Sequence, residues 1–159
     1  MENLADIEII LIEDNPFDAE LILRALQKKG LAGKVKVFPD GVEALQFLGA
    51  AAVEPHCQVK AIFLDLKLPK MSGLEILGRI KGDRRTRMIP VVMLTSSQEE
   101  SDILESYQLG VNSYMVKPVD YDEFSQVVED LGLYWLLRNK AAVRFKGLLV
   151  DQPDAPKED

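Results

Sequence analysis

The chain has 159 residues, a formal net charge of −7, and 47% hydrophobic and 28% charged residues. It is long enough for one domain with a real core and has the composition of a folded protein. That acidity argues against a nucleic-acid or anionic-membrane surface as the main partner, since both need clustered Lys and Arg. No apolar run approaches the roughly 20 residues of a bilayer span. The acidic start Met1-Glu2-Asn3-Leu4-Ala5-Asp6 lacks a signal peptide's basic flank and apolar core, and the lone Cys57 leaves no internal disulfide, so a cytoplasmic protein is expected.

Taken in order, Ile7 to Ile12 is β-branched and mostly apolar and reads as a first strand. It runs into Glu13-Asp14-Asn15-Pro16, where an Asp or Asn can cap a helix and Pro suits the first turn. Phe17, Leu21, Ile22, Ala25 and Leu26 then recur at helical spacing, and Gly30 closes the helix. Lys34 to Phe38 alternates and reads as a second strand at a sheet edge. A second helix spans Val42 to about Gly49, before an Ala-rich loop through His56 and Cys57. Ala61-Ile62-Phe63-Leu64 is a continuous apolar run, as in a strand covered on both faces, and it ends on Asp65. A third helix follows with Leu74, Leu77 and Ile80 on one side. Pro90 to Thr95 is a fourth buried strand. The fourth helix, roughly Gln98 to Leu109, has only Ile103, Leu104 and Tyr107 as apolar anchors, so it is expected to be loosely held. Ser113 to Val116 is a short fifth strand stopped by Lys117-Pro118. From Asp120 onward, Phe124, Val127, Val128, Leu131 and Trp135 mark the buried stripe of a fifth helix.

This alternation of strand and helix predicts an α/β fold: a doubly wound, five-stranded parallel sheet with five helices. The sequence carries no internal repeat, and Asp151 to Asp159, polar with two prolines, is expected to be disordered. In a parallel sheet the carboxyl ends of the strands share one edge, where such folds bind ligands. Glu13, Asp14, Asp65, Thr95 and Lys117 all stand at those ends and should converge. Each alone has an ordinary explanation: a helix cap, a turn hydroxyl, a solvated amine. Together they suggest one chemistry. Packed acids repel unless a cation neutralises them, and oxygen ligands with room for water suit Mg²⁺. A carboxylate beside Mg²⁺ can attack phosphorus, with Lys117 and Thr95 serving the phosphoryl oxygens. The absence of a Walker-type glycine loop points to a phosphoryl group received from a partner or small donor.

These residues also carry a family resemblance. Ile12-Glu13-Asp14-Asn15-Pro16, Leu64-Asp65-Leu66-Lys67-Leu68-Pro69 with Ser72-Gly73-Leu74-Glu75, Val92-Met93-Leu94-Thr95-Ser96, and Tyr114-Met115-Val116-Lys117-Pro118 resemble the receiver domain of two-component response regulators. The resemblance runs from about Ile7 to Leu137. It implies a flavodoxin-like strand order 2-1-3-4-5, with a receiver domain over 1–140 and a partly disordered extension over 141–159. It implies Asp65 as the phosphoacceptor, Lys117 as the phosphate-sensing amine and a cis bond before Pro118. Glu13, Asp14, Asp65 and the backbone carbonyl of Lys67 are implied as Mg²⁺ ligands, and Thr95 and Tyr114 as a switch pair in which the hydroxyl moves inward and the ring follows. The partner it implies is a histidine kinase. The start Asp14-Asn15-Pro16-Phe17-Asp18-Ala19-Glu20-Leu21-Ile22 and the tail look most like stand-alone receivers paired with bacterial phytochromes, and a homodimer through the fourth helix, fifth strand and fifth helix is expected.

Two competing classes fit the residues less well. An unphosphorylated binding module fits poorly with an intact acidic pair and Lys117. Hydrolases that use an Asp nucleophile place a second Asp two residues on, where this chain has Lys67. The stretch after the fifth helix is too short for a DNA-binding or catalytic output domain. Lys67 faces the site entrance, where it either tunes water attack on the acyl phosphate or lines the surface. Ser96 replaces a frequent alanine and keeps the position small. His56 lacks a co-ligand, Cys57 reads as a small hydrophobe, Tyr134 and Trp135 as packing, and Arg84, Arg85 and Arg87 as a solvated loop.

Overall fold

The computed structural model describes residues 4–142. Five strands, β1 (Ile9–Ile12), β2 (Val35–Phe38), β3 (Ala61–Leu64), β4 (Val91–Thr95) and β5 (Ser113–Val116), form one parallel sheet in the order β2-β1-β3-β4-β5. The helices are α1 (Pro16–Gln27), α2 (Gly41–Ala51), α3 (Gly73–Gly82), α4 (Glu100–Gln108) and α5 (Tyr121–Leu133). The expected architecture and strand order are what the chain adopts.

Period-two alternation divides the strands between two cores. Ile10, Ile12, Ile62, Leu64, Val91 and Met93 pack with Ala44 and Leu48 of α2 and Ile76, Leu77 and Ile80 of α3. On the other face, Ile9, Leu11, Phe63, Val92 and Leu94 pack with Ile22, Ala25 and Leu26 of α1 and Phe124, Val128 and Leu131 of α5. β1, β3 and β4 are buried throughout, as their unbroken apolar runs predict. α4 buries only Ser106, so it is loosely held as expected, but of the anchors expected there Leu104 and Tyr107 are exposed and Ile103 alone is half-buried.

Local chemistry sets the ends. Asn15 caps α1 by accepting from the amides of Phe17 and Asp18, with Pro16 in the first turn. Ser72 caps α3 and Asp120 caps α5. Gly30 takes a positive φ of 71° where α1 ends, a conformation glycine adopts without Cβ strain.

Some expectations give way. Helical spacing puts Phe17 on the buried face of α1, yet it is 75% exposed, because that face begins at Ala19. Lys34 belongs to a short 3-10 turn, Ala32–Lys34, ahead of β2. α5 passes directly into a π-helix, Tyr134–Arg138, closed by the Asn139 amide on the Tyr134 carbonyl at 2.7 Å. The resemblance implied a cis bond before Pro118, yet the described residues contain no cis peptide. That bond is trans, the form X–Pro links favour by about 0.5–1 kcal/mol. The expected extension lies outside the described residues from 143 onward, the polar stretch 151–159 included.

Candidate functional site

Register explains why the polar groups meet. Ile12 pairs with Leu64 across β1 and β3, and Thr95 with Val116 across β4 and β5. Glu13, Asp65 and Lys117 each stand one step past a paired residue at the same edge, and backbone bonds carry the ladder on. The Asp65 amide donates to the Ile12 carbonyl at 3.0 Å, and the Lys117 amide to the Thr95 carbonyl at 2.7 Å. Gly73, at the start of α3, lets that helix approach: its amide reaches the Leu66 carbonyl at 2.8 Å, and a Cβ there would run into the Asp65 carbonyl oxygen.

Lys117 is the electrostatic centre. Its ammonium donates to Glu13 Oε2 at 2.7 Å, Asp18 Oδ2 at 2.9 Å and Asp65 Oδ2 at 3.4 Å. Burial works against that charge, but the hydrogen bonds to Glu13 and Asp18 outweigh it and raise the Lys117 pKa. Burial pushes the Glu13 carboxyl up to about 7, with Asp65 repulsion adding and the Lys117 bond opposing. Glu13, Asp14 and Asp65 each offer a carboxylate oxygen, and these oxygens lie within 4.8 Å of one another. Glu13 and Asp65 are buried and Asp14 is exposed, so the cluster opens to solvent on the Asp14 side. This all-oxygen set is the donor chemistry of a hard divalent cation. Lys67 lies at the rim, exposed, its amide 3.4 Å from Asp65 Oδ1.

Thr95 is fully buried. Its Oγ1 accepts from the Ser97 amide at 3.3 Å, and the Tyr114 hydroxyl donates to the Ser97 carbonyl at 3.0 Å. Burial raises the Tyr114 pKa, with the Ser97 bond opposing. The two expected switch residues thus share Ser97 as an intermediate. Ser97 Oγ in turn donates to Asp102 Oδ2 at 2.6 Å, tying the loop after β4 to α4.

Glu13, Asp14, Asp65, Lys67, Thr95 and Lys117 fall at this edge, while Tyr114 stands inside β5 opposite Met93 and is joined to the edge by its hydroxyl bond to Ser97. The pattern of strand ends missed two features. Asp18 looks like a first-turn acid on α1, and only the folded chain shows the Lys117 side chain reaching it from the end of β5 at 2.9 Å, with β3 and β4 between β5 and β1. Ser97 and Asp102 are five apart, a spacing that could have suggested a loop-to-helix bond.

Residues 9–129 match the response regulator receiver domain. The chain belongs to the response regulator receiver family. Among solved structures, the receiver is 48% identical to the bacteriophytochrome response regulator AtBRR, covering 84% of this chain and 97% of that one at a TM-score of 0.61. It is 36% identical to the phosphorylated cyanobacterial phytochrome response regulator RcpA, covering 86% and 98% at a TM-score of 0.78. Among curated proteins it is 38% identical over 133 residues to the probable methanogenesis regulatory protein FilR2 of Methanothrix harundinacea, covering 84% of this chain and 86% of that protein. The strand order of the receiver is that of the flavodoxin-like fold, and phosphoryl acceptance is the role of the receiver domain. No helix among the described residues is long and apolar enough to cross a membrane.

Proposed function

We propose that this receiver takes a phosphoryl group from a histidine kinase onto Asp65, with Mg²⁺ held by Glu13, Asp14, Asp65 and the backbone carbonyl of Lys67, and passes the signal on by protein contact. The observation that carries it is the convergence of two buried carboxylates, one exposed one and a half-buried ammonium at one sheet edge. An Asp65 carboxylate oxygen forms a bond to phosphorus as the bond from phosphorus to the donor's imidazole nitrogen breaks, and the imidazole takes a proton. A bound divalent cation would offset the charge of the carboxylates and of the incoming phosphoryl oxygens. Lys117 turns its ammonium to a phosphoryl oxygen, and Thr95 offers its hydroxyl to another. Moving the Thr95 hydroxyl pulls on Ser97, whose carbonyl holds Tyr114 and whose side chain holds α4. This supports Thr95 and Tyr114 as the switch pair, with α4 and β5 as the surface that changes.

AtBRR and RcpA, both phytochrome response regulators by name, support a bacterial phytochrome kinase as the phosphoryl source and hence work in the cytoplasm; FilR2 marks methanogenesis regulation as the alternative setting. The test is incubation with acetyl phosphate and Mg²⁺ read by intact mass. Wild type is expected to gain one phosphoryl group and Asp65→Asn none. No gain in wild type, or an equal gain in Asp65→Asn, would overturn the proposal.

A further inference from the structure

The three carboxylates around Lys117 do not share its ammonium equally. The short bonds go to Glu13 at 2.7 Å and Asp18 at 2.9 Å, and the longest, at 3.4 Å, goes to Asp65. A primary ammonium has three hydrogens to give, and here the better two are directed away from the phosphoacceptor. Asp18 is the unexpected member. It stands on α1 three residues after the N-cap, where an acidic side chain commonly folds back onto the cap's own amide. That amide is already taken, since Asn15 N–H donates to Glu13 Oε1 at 3.1 Å. Asn15 itself accepts from the amides of Phe17 and Asp18, so α1 is capped without help from the Asp18 carboxylate. Asp18 is also absent from the set of acids whose ligand oxygens cluster within 4.8 Å. Its contact with the site is through Lys117.

We infer that Asp18 is a positioning residue that restrains Lys117, holding one of its donors on the α1 side so that an incoming phosphoryl group must draw the ammonium away. This rests on Asp65 being the phosphoacceptor. The direction of the effect follows from charge. Glu13, Asp14, Asp18 and Asp65 crowd a cleft in which Lys117 supplies the buried cation, and the phosphoryl donor arrives as an anion. Removing the Asp18 charge at constant side-chain size frees a donor for the phosphoryl oxygens and lowers repulsion toward the substrate. Exposure keeps the effect modest, because the Asp18 side chain is 31% accessible to solvent.

The experiment follows phosphoryl uptake by the full-length protein from acetyl phosphate at saturating Mg²⁺, by intact mass against time. Asp18→Asn is expected to raise the second-order rate constant on the order of threefold, more at low salt than at high salt. Asp18→Glu keeps the charge and stays near wild type. In a Lys117→Ala background, Asp18→Asn should lose most of its gain, a dependence that a helix-end stability effect would not produce. An Asp18→Asn rate equal to or below wild type, or the same gain with Lys117 absent, would overturn the inference. A wild-type protein that takes up no phosphoryl group would instead overturn the underlying assignment of Asp65.

Discussion

At the scale of single residues, the acidic cluster sets what a metal meets. Asp14 is its solvent-facing member, and Asp14→Asn removes one of the proposed anionic ligands while leaving the bond from Lys117 to Glu13 in place. Mg²⁺ affinity is expected to fall at least severalfold, as read by titration calorimetry; an unchanged affinity would remove Asp14 from the ligand set. Glu13 gives the site a pH dependence. Its carboxyl, raised to about 7 from an ordinary 4.5, keeps a proton in the folded protein that the unfolded chain has already lost. Metal-free stability should therefore fall as pH rises from 4.5 to 7. A cation needs the carboxylate, so Mg²⁺ affinity should rise with pH up to about 7, by as much as about tenfold per pH unit, and level off above. Titrations on either side of pH 7 giving one affinity would contradict this. The charged members of the site were legible because each ends a strand and strand ends are readable from apolar runs. Asp18 was not, because its partner is 99 residues away and the two meet only through the reach of the Lys117 side chain in the folded chain.

Among the elements, α3 and α4 are held by opposite means. α3 starts against backbone: a Cβ on Gly73 would meet the Asp65 carbonyl oxygen and lie 2.6 Å from Leu66 Cα, atoms that cannot move without shifting Asp65, the proposed phosphoacceptor. Gly73→Ala is expected to cost about 1–3 kcal/mol in urea unfolding, despite the better helix propensity of Ala, and to slow phosphoryl uptake. Gly78, in the same helix, would place its Cβ 3.7 Å from Leu109, an ordinary contact, so Gly78→Ala should stabilise by up to about 1 kcal/mol. Equal effects of the two would sink the argument from backbone contact. α4 has Ser106 as its one buried residue and is tied to the preceding loop by Ser97 Oγ on Asp102 Oδ2, while Ser106 Oγ bonds back to the Asp102 carbonyl at 2.7 Å within the helix. Its sparse apolar pattern already said as much in the sequence. The reverse held for α5: its stripe was readable through Trp135, but the switch to a π-helix at Tyr134 depends on how the end of the helix packs, which periodicity does not encode.

For the whole molecule, the apolar groups left on the surface are unevenly placed. Of the ten large exposed hydrophobics among the described residues, six come after β4: Leu104, Tyr107, Val119, Tyr121, Tyr134 and Leu137. They sit on α4, on the turn into α5, and on α5 and its π-helical end, beside the free edge strand β5. A groove of about 280 Å³ lined by Met115, Val127, Leu131 and Trp135 opens along the same elements. Surface apolar side chains gathered in one region mark a face that another surface covers, and a second copy of the chain would cover it isologously about a two-fold axis. The α4 ties through Ser97 would then link phosphorylation to the strength of that contact. Light scattering on the full-length protein at micromolar concentration, with acetyl phosphate and Mg²⁺ present, is expected to show a dimer. Leu137→Glu should shift it toward monomer, because a carboxylate in an apolar contact loses its hydration without a partner. Truncation after Asn139 separates the described face from the tail that follows: a dimer that survives it rests on α4, β5 and α5, and one that is lost depends on the tail. Monomers for both full-length and truncated chains would mean that this face serves some other partner.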